Sequence, residues 1–125
     1  MIISKFNNKT GLLETKFEGE VTINEIVDYL HSIQENKTYP RVLKIITDAT
    51  NADMNFTPGD IRIMIEKKFK TSSKYEFIVI AMIVSKPKET AFSILYHELT
   101  KAKIKNHRCE IFSTKDAALH FLNNF

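Results

Sequence analysis

Hydrophobic positions along the chain recur with two periods, and the switches between them mark out nine segments. Residues 2–7 carry the short alternation of a strand, and Asn7 to Gly11 supply turn chemistry, because Asn and Gly tolerate positive φ. Residues 12–18 alternate again, with Leu13, Thr15 and Phe17 on one face and Glu14, Lys16 and Glu18 on the other, so the first two segments predict a hairpin. The period then changes. Thr22 to Glu25 read as a capping box, and Ile23, Ile26, Val27, Leu30 and Ile33 follow at helical spacing, ending near Asn36 ahead of Pro40. Residues 42–47 are rich in β-branched side chains and predict a strand. Asp48 to Phe56 read as a polar loop that holds two large apolar residues, Met54 and Phe56.

A second helix starts where Thr57 caps, Pro58 takes the first helical position and Asp60 favours the positive end of the dipole. Ile61, Ile65 and Phe69 are its expected buried face, and Lys67, Lys68 and Lys70 close its last turns. Residues 75–84 contain an eight-residue apolar run from Phe77 to Val84, the signature of a strand covered on both faces. Residues 87–103 predict a third helix with Ala91, Leu95 and Ala102 turned inward and the pair Phe92 and Tyr96 off that stripe. A strand over 108–112 and a last helix complete the chain. That helix starts at Ser113–Asp116 and turns Ala117, Ala118, Phe121, Leu122 and Phe125 inward. A hairpin followed by strict alternation of strand and helix predicts an α/β domain over residues 1–125, with a mostly parallel five-stranded sheet and four helices. Sites in such sheets gather at the carboxyl ends of the strands, which here lead into Asp48–Thr57, Ser85–Lys88 and Ser113.

Composition narrows the function. Of 125 residues, 43% are apolar and 26% charged, the values of an ordinary globular domain rather than a disordered chain. A net charge of +3 is too mild to demand nucleic acid, and the basic residues near the ends of the second and third helices have no stacking aromatics between them. Eight apolar residues in a row fall well short of the roughly 20 that span a bilayer. One cysteine and no export signal lead us to expect a cytoplasmic protein.

Chemistry is sparse. No glycine-rich phosphate loop is present, and the His97-Glu98 pair lacks the second histidine of a zinc helix, since Lys101 stands at that position. No metal or cofactor is expected. His31, His97, His107 and His120 are expected at the surface or its boundary. His107 and Cys109 would share a strand face, which permits contact without activating the thiol. Asp48, at a strand end, suits either an Asx-turn or a site. Thr57 suits either a cap or a phosphate-bearing hydroxyl. Met54, Phe56, Phe92 and Tyr96 either join the core or form a contact surface.

The element order, the hairpin start and Thr57-Pro58-Gly59 after Asp48 resemble the STAS domains, and more closely the small SpoIIAA-like stand-alone bacterial proteins. Phe17 to Thr22, Phe77 to Ala81, Glu110 to Phe112 and Ala117 to Leu122 carry the same resemblance over nearly the whole chain. It implies a non-enzymatic protein-interaction module, homodimeric, and sometimes switched by phosphorylation. The related CRAL-TRIO domains hold lipids, which implies as the alternative a carrier of a small apolar molecule. Gly59 matches the glycine that follows the family's phosphorylated serine, but Pro58 stands at the serine position. Any phosphorylation would therefore fall on Thr57. The expected partner or ligand surface comprises Asp48, Met54, Phe56, Thr57, Gly59, Phe92 and Tyr96.

Overall fold

A computed structural model describes all residues 1–125. The elements are β1 (Ile2–Asn7), β2 (Leu12–Val21), α1 (Ile23–Glu35), β3 (Val42–Met54), α2 (Pro58–Ser72), β4 (Phe77–Ile83), α3 (Pro87–Lys103), β5 (His107–Phe112) and α4 (Lys115–Asn123). They form one five-stranded sheet in the order β1-β2-β3-β4-β5, with β1 antiparallel to β2 and every other pair parallel. The hairpin closes where Gly11, at φ 74°, donates its amide to the Asn7 carbonyl at 2.8 Å. The fold is the α/β architecture that the alternation predicts.

Helices α1, α2 and α3 cover one face of the sheet, and α4 alone covers the other. Strand β4 feeds both layers: Ile78, Ile80 and Met82 point to the three-helix side, and Val79, Ala81 and Ile83 pack on Ala118 and Leu122 of α4. This is why its sequence is apolar without alternation. Two of the expected caps form as predicted, and the third, the capping-box-like start expected at Ser113–Asp116, shifts by one residue to Thr114, which accepts from the Ala117 amide at 3.2 Å. Thr22 and Glu25 close a reciprocal box on α1, and Thr57 and Asp60 do the same on α2.

Three expectations need correction. First, β3 does not stop at residue 47 but runs to Met54, beside a β2 that runs past residue 18 to Val21. Lys16 pairs with Asp48 and Glu18 with Asn51, so β3 holds one extra residue, a bulge. The Asp48 carboxylate accepts from the Thr50 amide at 3.0 Å and its hydroxyl at 2.7 Å, which pins the kink. The bulge shifts the inward phase from Thr47 and Ala49 to Ala52 and Met54, and so breaks the alternation that would have announced a strand.

Second, the buried face of α2 is formed by Met64, Ile65 and Thr71, while Phe69 is 56% exposed. Third, α3 is rotated relative to its apolar stripe. Ala91, Leu95 and Ala102 face outward, and Glu89, Ser93 and Thr100 are buried with Phe92 and Tyr96 partly so. The cause is the Glu89 carboxylate, which accepts from the Met54 amide at 2.9 Å in the interior and has Lys88 Nζ 3.4 Å away. On α4 the same kind of narrowing holds: Ala118 and Leu122 are buried, but Ala117 and Phe125 are exposed.

Removing the Glu89 acceptor strands a buried amide. Glu89→Leu should cost about 1–3 kcal/mol, read as a lower urea midpoint at unchanged slope. Glu89→Gln keeps an acceptor oxygen and should lose about 1 kcal/mol or less.

Candidate ligand cavity

Between the sheet and its three-helix layer lies a cavity of about 70 Å³. Its apolar wall comes from Ile26, Leu30 and Ile33 of α1, whose helical spacing turns them onto the sheet, and from Ile78, Ile80 and Met82 of β4. Met54 and Met64 also line it. Tyr29 also lines the cavity, with its hydroxyl bound to the Thr15 hydroxyl at 2.6 Å, and burial raises that phenol above its ordinary pKa.

The lining turns polar toward α3 and β5, where His107 and Cys109 stand beside Ile78 and Ile80 on the next strand. Ser93, His97 and Thr100 come from α3, His107 and Cys109 from β5, and Lys68 from α2. Thr100 satisfies its hydroxyl on the Tyr96 carbonyl at 2.8 Å. The others are short of partners. Ser93 Oγ, His97 Nδ1 and both ring nitrogens of His107 are buried with no hydrogen-bond partner in the chain. His107 is 8% exposed, and burial first, then the Lys68 ammonium, push its pKa down to about 2, so the ring is neutral. Burial also lowers His97, and pushes the Cys109 thiol up to about 11, which leaves it a thiol at neutral pH.

Lys68 Nζ sits 4.9 Å from the centroid of the Tyr96 ring. Tyr96 stacks in turn on Phe92 at 5.9 Å, and Phe92 packs on Phe56 at 5.0 Å.

The residues singled out from the sequence divide into two groups. Met54, Phe92 and Tyr96 meet at the cavity. Met54 is 3% exposed, so it offers no outer surface, and Phe56 lies behind Phe92 rather than on the lining. Asp48, Thr57 and Gly59 lie outside it. Asp48 holds the bulge, and the exposed Thr57 uses its hydroxyl to accept from the Asp60 amide at 3.1 Å. A Cβ on Gly59 would meet only Thr57 Oγ1 at an ordinary 3.7 Å, so neither space nor a positive φ demands glycine there.

Sequence reasoning missed Tyr29, Lys68, Ser93, His97 and His107 as lining residues; of the histidines expected at the surface or its boundary, His97 is half-buried at a boundary position, and His107 is buried instead. A signal was present on α3: Glu89, Ser93, His97 and Thr100 recur at intervals of four, four and three, a polar stripe at helical spacing.

A solved structure of an uncharacterized DUF3478-family protein from Shewanella loihica PV-4, described as having a SpoIIAA-like fold, matches this chain with a TM-score of 0.62. The match is 17% identical and covers 97% of this chain and 93% of that one. At that identity it shows the fold, which is SpoIIAA-like. No family model matches the chain, and no curated protein is similar to it.

The neutral imidazoles have a measurable consequence. With the folded pKa of His107 depressed below its unfolded value of about 6.5, the unfolded chain binds the extra proton as pH falls. The stability is thus full above about pH 6.5 and lost below it, by about 2 kcal/mol between pH 7.5 and 5 for this group. Urea midpoints across that range should show the loss, and His107→Gln should flatten it.

Proposed function

We propose that this protein binds a small, largely apolar molecule in the cavity between its sheet and helices α1 to α3, and that it acts without enzymatic turnover. The observation that carries the reading is the combination of a largely apolar lining with four buried polar atoms on it that the chain leaves unpaired. A buried polar atom without a partner costs about 1–3 kcal/mol, and a bound molecule that supplies the partner recovers it. The three methionines of the lining, Met54, Met64 and Met82, give it the adaptability that unbranched thioethers allow. The Cys109 thiol, held protonated by burial, suits a lining role better than nucleophilic attack.

A second reading, a self-associating protein-interaction module, is favoured by a separate feature. The outer faces of α2 and α3 expose Phe69, Ile94, Leu95 and Leu99, an apolar surface that a partner would cover. Thr57 at the start of α2 is the residue through which phosphorylation would alter such a surface.

Native mass spectrometry of the purified chain tests both. The binder predicts a reproducible extra mass that denaturation releases, and its absence sinks the first reading. The interaction module predicts a dimer that Phe69→Asp with Leu95→Asp converts to monomer.

A further inference from the structure

The polar wall of the cavity specifies more than apolar binding. Lys68 is the lining's only fully charged side chain; no aspartate or glutamate lines the cavity. Its ammonium takes part in none of the chain's ion pairs and rests on the Tyr96 ring instead. The same lining holds groups that can donate. A neutral imidazole carries one N–H, and a serine hydroxyl turns to suit its partner. His107 and Ser93 both point these groups into the interior without a partner. One cation outside any ion pair, sharing its lining with neutral donors and with no carboxylate on that lining, is complementary to a singly charged acceptor group. A phosphate dianion would bring a second charge with no second cation to meet it, at a high cost in desolvation.

Size sets the rest of the molecule. The cavity is about half the ~150 Å³ that admits benzene in an engineered apolar cavity, so only a short tail fits before the methionines move.

We infer that the cavity takes a short-chain monocarboxylate, its carboxylate held by Lys68, His107 and Ser93 and its alkyl tail against Met82 and the α1 side chains. This rests on the binding function proposed above and names the ligand class.

The matched amides separate charge from shape. Titration calorimetry of the full chain at pH 7.5 should show propanoate and butanoate binding at least about tenfold tighter than propanamide and butanamide, the gain expected of a charge-assisted contact. Lys68→Met should abolish that preference while the amides still bind; Lys68→Gln serves if the first variant does not fold. Equal affinity of acid and amide overturns the inference and leaves the binding function standing. So does a preference that survives in the Lys68 variant, or a co-purifying mass that proves uncharged. If acids and amides alike fail to bind, and no extra mass accompanies the native chain, the binding function itself falls and takes the inference with it.

Discussion

The contact between the Glu89 carboxylate and the Met54 amide joins the end of β3 to the first turn of α3 and fixes the rotation of that helix. A buried carboxylate must face its donor, so the residues four, eight and eleven positions further on face the sheet with it. Those residues are Ser93, His97 and Thr100. The apolar residues of the same helix are thereby turned out: Leu95 is 51% exposed and Leu99 lies beside it on the outer surface. One ion-supported hydrogen bond thus creates both the polar wall of the cavity and the exposed patch. Glu89 is well placed for this, since the helix N-terminus favours a carboxylate in its first turn.

The unequal covering of the sheet explains why the cavity lies on the three-helix side. On the α4 side, Val79, Ala81 and Ile83 meet Ala118 and Leu122, small and medium side chains that interlock. On the other side, three helices must close over strands whose inward residues change phase at the β3 bulge. Space remains where α3 contributes short polar side chains instead of leucines. The aromatic run from Phe56 through Phe92 to Tyr96 seals the boundary of that space and brings a cation, Lys68, to its edge.

Most of the fold was legible because its local signals agree with its tertiary packing. The β2 alternation of Leu13, Thr15 and Phe17, the caps at Thr22 and Thr57, and the continuous apolar run of β4 each name one element and one environment. The failures have a shared cause. The bulge at Ala49 and Thr50 adds one residue and destroys period two, so residues 48–54 read as a loop. On α3 the stripe that seeks water by composition is the one that is buried, so a search for apolar periodicity picks the wrong face. His107 gave no signal beyond its i,i+2 relation to Cys109, because its burial is set by the helix packed over it. Met54, Phe92 and Tyr96 were visible as apolar residues without an assigned place, but their convergence depends on the bulge and on the rotation of α3.

The cavity's polar groups also bear on why this arrangement persists at all. Four unpaired buried atoms would be a steady liability in a chain selected for stability alone, since replacing the stripe with leucine and phenylalanine would fill the space and remove the penalty. The inward polar stripe is instead kept by a carboxylate that is itself costly to bury, whose Oε2 meets both the Met54 amide and the Lys88 ammonium. Four of the five buried atoms without a partner belong to the cavity lining, Ser72 Oγ being the one outside it, and Glu89 is tied to that lining through the Met54 amide; the interior from Leu13 and Leu43 to Val79 and Leu122 is largely apolar. Such concentration of unfavourable terms at one wall is the physical pattern of a site whose energetics are completed by a molecule other than the chain itself.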